Sequence, residues 1–132
     1  MKWIKRQRYA LLCLIAGALL PFAFAPFRLF WLAPLPPAIL LGCWLNRPNI
    51  RSVIWRGLLF GVGFFSVGVS WLYVSIHNFG GANMAVAAII TTGFICLLSL
   101  GFIFQGLLFQ LIWRHDSPLK RLVLFPVTWV IA

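Results

Sequence analysis

Few of these 132 side chains could take part in a reaction. Asp116 is the one carboxylate, and the two histidines are His77 and His115. The three cysteines are Cys13, Cys43 and Cys96. General acid–base chemistry needs titratable groups in separate roles, and one acid in a loop beside Arg114 makes no pair. No Ser/His/Asp or Cys/His set shares a site, so no catalytic residue is assigned. The histidines lie too far apart for metal-ligand spacing, and neither a metal nor a cofactor is expected. Each cysteine sits in an apolar run, where a free thiol packs as a small hydrophobe. None has the electropositive, partly exposed setting of a reactive thiol. His77, with Ser75 close by, is the titratable group nearest an expected membrane face. It is either a functional group or an interfacial residue.

These side chains hang on apolar segments. The chain is 63% hydrophobic and 9% charged, with a mean hydropathy of +1.01. A soluble domain of this length could not hide so much apolar surface, which leaves an integral membrane protein. The net charge is +10, a value that in a soluble chain would suggest nucleic acid. Here the cations fall in the gaps between apolar runs, and no nucleic-acid partner is expected. Membrane phospholipid is.

The longest organised stretch runs from Val53 to Gly81. Its apolar part, 53–76, can cross a bilayer core of about 30 Å at about 1.5 Å per residue. Gly57, Gly61 and Gly68 share one helical face and are expected to pack against another helix, backbone to backbone. Arg56, near the start, is expected to snorkel to the interface. At the far end Trp71, Tyr73, His77 and Phe79 gather before Gly80-Gly81. Aromatic rings with a polar edge favour the headgroup region, and the glycine pair predicts the turn out of the helix.

Around this helix the apolar runs predict spans at 9–25, 29–45 and 84–113. An incomplete one follows at 122–132, where eleven helical residues cover only about 16 Å. The expectation is an all-α, polytopic membrane bundle with four complete spans and a truncated fifth, the front part of a longer protein. Residues 1–25 also fit a signal peptide with Ala23-Phe24-Ala25 as its cleavage site. Pro26 after the cut is a poor protease substrate, which favours an uncleaved first span. Pro34, Pro36 and Pro37 suggest that the second helix proper starts near Pro36 or Pro37. Gln105 and Gln110 are expected to face other helices or the interface rather than lipid. Ten of the eleven Lys and Arg residues fall on one side of this arrangement, and only Arg28 falls on the other. The positive-inside bias then puts the N-terminus in the cytoplasm and the Trp71–Gly81 end outside. Two readings of function follow: a helical scaffold for an enzyme whose catalytic groups lie elsewhere, or a fragment of a transporter or channel. Transport usually calls for intramembrane ionisable groups or broken helices.

The string Gly68-Val69-Ser70-Trp71-Leu72-Tyr73-Val74-Ser75-Ile76-His77-Asn78-Phe79-Gly80-Gly81 resembles the third membrane helix of bacterial apolipoprotein N-acyltransferases. The family pattern there is G-x-x-W-x-Y-V-S-I-x-x-F-G-G. The segments Phe60–Phe65, Phe22–Pro26 and Pro126–Trp129 also fit, in order. The resemblance implies an inner-membrane enzyme with eight membrane helices and a periplasmic nitrilase-like domain. It would move an acyl chain from a phospholipid, typically phosphatidylethanolamine, to the N-terminal diacylglyceryl-cysteine of a lipoprotein. A Glu-Lys-Cys triad would act through a thioester. None of that triad maps onto this sequence, which contains no Glu and no nitrilase-like segment, so these residues alone are expected to be inactive. What the resemblance implies here is scaffold. Trp71, Tyr73, Ser75, His77, Phe79, Gly80 and Gly81 are expected to line the lipid approach or support the catalytic domain. Interfacial anchoring and a tight turn are the alternative.

Overall fold

A computed structural model describes residues 2–24, 27–46, 49–113 and 118–131. Ala25-Pro26, Arg47-Pro48 and the Arg114–Ser117 stretch with Asp116 and His115 lie outside the described residues. Every regular element among those described is helical. The α-helices are α1 (Lys2–Leu19), α2 (Leu35–Leu45), α3 (Ile50–Gly68), α4 (Ser70–Val74), α5 (Met84–Trp113) and α6 (Pro118–Ile131).

Local chemistry sets most boundaries. Pro21 sits in a 3-10 turn, Leu20–Ala23, that ends the first helix. Pro36 and Pro37 lie in the first turn of α2, where a missing N–H costs nothing. The side-chain oxygen of Asn49 accepts from the Arg51 N–H at 3.2 Å and caps α3. The Asn83 side chain accepts from Val86 N–H at 2.8 Å and caps α5. Such caps satisfy donors that a helix start leaves without partners.

By length and composition, two described helices can cross a membrane: Ile50–Gly68 and Met84–Leu111. The expectation of four complete spans is matched by two on that measure. The first apolar segment lies in α1, Lys2–Leu19, and the 3-10 turn that ends it at Pro21. The second is shorter, and proline is the physical cause: only Leu35–Leu45 is regular α-helix, about 16 Å of rise. The third segment also differs from a single helix over 53–76. It begins at Ile50 and is interrupted at Val69 (φ −112°, ψ 8°).

α3 is the middle of the bundle and packs most extensively against α1 and α5. On the α1 side, a Cβ on Gly63 would collide with the Leu14 carbonyl oxygen, and one on Gly17 with the Phe60 carbonyl. On the α5 side, a Cβ on Gly57 would lie 2.7 Å from the Phe102 carbonyl, and one on Gly61 3.0 Å from the Ser99 Cα. Gly61 and Gly63, two residues apart, point about 160° from each other at 100° per residue. The same helix therefore meets one neighbour on each side at backbone distance. Gly68 differs from Gly57 and Gly61. A Cβ there would meet only the Pro21 ring, at 3.7 Å, an ordinary contact.

Aromatic rings fill the remaining interior. Phe60, Phe102 and Trp129 form a mutual cluster with centroids 5.1–5.9 Å apart. Trp44, Phe109 and Phe125 form another, at 5.3–6.0 Å. Phe125 and Trp129, one turn apart on α6, join the two. Trp44 Nε1 donates to the Val53 carbonyl at 3.2 Å, tying the end of α2 to the start of α3. Arg56 does not snorkel as expected. It is 3% exposed, donates from Nη1 to the Cys43 carbonyl and lies 4.8 Å from the Tyr9 ring centroid. A carbonyl and a π-face replace the water that its charge would otherwise seek. Cys13 and Cys43 are buried, whereas Cys96 is exposed on α5.

The glycine seams make opposite predictions at two sites. Gly63→Ala should lower thermal stability in detergent, by about 1–3 kcal/mol if the collision is relieved by overpacking. Gly93, with nothing within 4 Å of a Cβ, should be stabilised by Gly93→Ala, by about 0.5–1 kcal/mol. Thermal shift read by size-exclusion chromatography checks both, and equal shifts would contradict the seam.

Candidate functional site

The candidate site is the end of the bundle where α3 gives way to α5. After Gly68 the chain makes one short helix, α4, and then a single π turn over Ser75–Phe79. π turns are rare and occur mostly as isolated turns, often at functional positions. The wide turn closes with the Gly80 N–H donating to the Ser75 carbonyl at 3.1 Å. The Ala82 N–H donates to the Ile76 carbonyl at 3.4 Å. Gly81 has φ +64°, a left-handed conformation that glycine adopts without steric cost. Gly80 is needed for a different reason: a Cβ there would lie 2.7 Å from the Ile76 carbonyl oxygen.

The side chains of this end fall into two groups. Tyr73 and His77, one turn apart, stack with ring centroids 5.9 Å apart and planes 22° apart. His77 Nδ1 lies 3.0 Å from the Ala82 carbonyl oxygen. A carbonyl only accepts, so Nδ1 is the donor in this contact. The histidine thus pins the loop that leads into α5. Ser75 enters through its carbonyl, as the acceptor that closes the π turn.

Trp71 belongs to the other group. It is 63% exposed and lines a cavity of about 370 Å³ with Pro21, Phe22, Phe24, Phe27 and Val67. That cavity lies between the first connection and the end of α3. Phe79 is 88% exposed and is the outermost ring of the turn. A second cavity, of about 500 Å³, opens beside Phe24, Phe65, Leu97, Phe102 and Trp129. Gln105 also lines it and carries a buried Nε2 without a partner. Both cavities are walled chiefly by apolar side chains and suit hydrocarbon rather than a polar metabolite.

The site therefore offers rings, a pinned loop and apolar hollows. Among the described residues no three His, Cys, Asp or Glu side chains come together to hold a metal ion. Sequence reasoning missed the seam residues Gly17, Gly63 and Gly106 and the burial of Arg56. The small residues of α1, Ala16, Gly17 and Ala18, were the available signal for its half of the seam. Arg56 had none, because its partners come from two other helices.

A family model described as the apolipoprotein N-acyltransferase N-terminal domain matches residues 16–132. An apolipoprotein N-acyltransferase of Coxiella burnetii is 52% identical over 124 residues, covering 92% of this chain and 25% of the relative. One from Azotobacter vinelandii is 39% identical over 134 residues, covering 98% and 26%. One from Methylococcus capsulatus is 40% identical over 122 residues, covering 92% and 24%. The chain spans about a quarter of the length of the curated relatives it matches.

The role of His77 in the loop is open to measurement. His77→Ala removes both the ring stack and the Ala82 contact. Amide exchange at 80–83 should rise about fivefold, the effect of losing about 1 kcal/mol from one hydrogen bond. Unchanged exchange would show that the loop is held by its backbone alone.

Proposed function

This chain belongs to the apolipoprotein N-acyltransferase family, and from that premise we propose that its helices are the membrane scaffold of such an enzyme. The reaction in this reading is transfer of an acyl chain from a membrane phospholipid to the amino group of a lipoprotein's diacylglyceryl-cysteine. The family match over residues 16–132 carries the proposal. Acyl transfer needs a nucleophile, a base and an oxyanion donor, and we assign none of these to the 132 residues. The scaffold role accords with what is present: a glycine-seamed helix leading to an aromatic, firmly turned end.

In the same reading the chain sits in the bacterial inner membrane with its N-terminus in the cytoplasm. Four spans cross, the two shorter helices completing theirs through their irregular aromatic ends. Trp71 and its cavity then lie at the outer face, where a lipid chain could enter from the side. Tyr73, His77 and the Gly80-Gly81 turn keep that entrance in place beneath the domain that performs the chemistry. Lipoprotein and phospholipid are the partners of the full-length enzyme.

Two measurements test this. In a full-length member of the family, alanine at the positions aligned with Trp71 and Gly80 should slow acyl transfer in vesicles about tenfold, while the purified amount stays normal. Unchanged transfer by both variants would remove the site from the reaction. Alkaline phosphatase fused after Gly81 of this chain should be active, and fused after Asn49 inactive; the reverse pattern would overturn the orientation.

A further inference from the structure

At the opposite end of the bundle, α1 and α3 leave a second kind of hollow between them. It holds about 500 Å³ and is lined by Gln7, Arg8, Leu11, Leu14, Trp55 and Leu59 among others. Polar and cationic groups sit at its α1 start, and leucines line the rest. Arg51, also exposed, lies one turn before Trp55 on the same face of α3. The chain carries eleven Lys and Arg residues against one acid, and no carboxylate occurs among the described residues. Among the described residues none can supply an anion to this groove. A small soluble anion would meet the guanidinium but leave the leucine walls to water. A molecule with an anionic head and a hydrocarbon tail satisfies both ends at once.

We propose that this groove binds an anionic glycerophospholipid of the leaflet that holds the cation-rich end. Its phosphate meets the Arg8 guanidinium, whose planar fork of N–H donors matches phosphate oxygens. Gln7 adds an amide donor. One acyl chain runs along Leu11, Leu14 and Leu59, and the Trp55 indole lies at the level between head and tail where such rings are favoured. The site is separate from the outer end assigned to the family's reaction. It rests on the membrane reading alone, not on acyl transfer.

Photocrosslinking tests it on the full chain, in vesicles of equal parts phosphatidylethanolamine and phosphatidylglycerol. Ile15 is exposed one turn beyond Leu11, so Ile15→p-benzoylphenylalanine puts a probe beside the tail without filling the groove. A matching probe replaces Leu100, exposed on α5. Adducts at position 15 should favour phosphatidylglycerol about fivefold, the bias that one basic residue gives near an anionic surface. Arg8→Gln should bring them to parity, and position 100 should show parity throughout. Parity at 15 without Arg8→Gln, enrichment that survives it, or capture of protein in place of lipid would overturn the site. No lipid adduct at either position would overturn the membrane placement and the site with it.

Discussion

α3 touches α1 and α5 at backbone distance on opposite sides, and everything else in the bundle is placed by that. In hydrocarbon, where we propose this bundle sits, helices gain nothing from leaving water, so close approach and hydrogen bonding must hold them together. Dispersion falls off quickly with separation, which makes a missing Cβ worth more here than a large apolar side chain. Gly63 and Gly17 open one seam, and Gly57 and Gly61 open the other. Gly106 lets Val53 and Trp44 close against α5 at the end of the second seam. The aromatic clusters then fill the space that the seams leave around them. α6 joins through Phe125 and Trp129.

The two ends of this bundle are built differently. At the cation-rich end, polar atoms of α2 and α3 are paired across helices. Trp44 donates to the Val53 carbonyl and Arg56 to the Cys43 carbonyl. The Arg56 charge is carried inward rather than out to the interface, between a carbonyl and the Tyr9 ring. At the other end pairing is local: Ser75 with Gly80, Ile76 with Ala82, and His77 with Ala82. One end joins helices to one another, while the other shapes a single loop and leaves rings standing out from it.

Much of this is legible in the residues. Long apolar runs broken by proline and cations give an all-helical chain, and the Trp-x-Tyr-Val-Ser-Ile and Phe-Gly-Gly pieces point to the family. Helical spacing shows that Gly57 and Gly61 share a face. It does not show that Gly63, on the other side, is as crowded, because the crowding comes from Leu14, some fifty positions earlier. Arg56 illustrates the same limit: snorkelling follows from its place near a helix end, and burial from Tyr9 and Cys43, which only the fold brings near. The π turn is invisible to periodicity because its hydrogen bonds skip one residue more than an α-helix. Tyr73, His77 and Trp71 read as one aromatic group in sequence, yet the short helix after Val69 turns them to two different places. The shortened second helix comes from proline acting within an apolar run that composition alone would extend.

The α1–α3 seam also sets an order of events during synthesis. Gly17 meets Phe60, not a residue of the neighbouring α2. At about 5–20 residues per second, the stretch between them takes on the order of several seconds to leave the ribosome. In the membrane reading proposed above, α1 would spend that time in the bilayer with its small-residue groove facing lipid and only α2 beside it. On that reading the closest approach of the bundle is a late one, formed when the third hydrophobic segment arrives and takes the place of lipid in the groove.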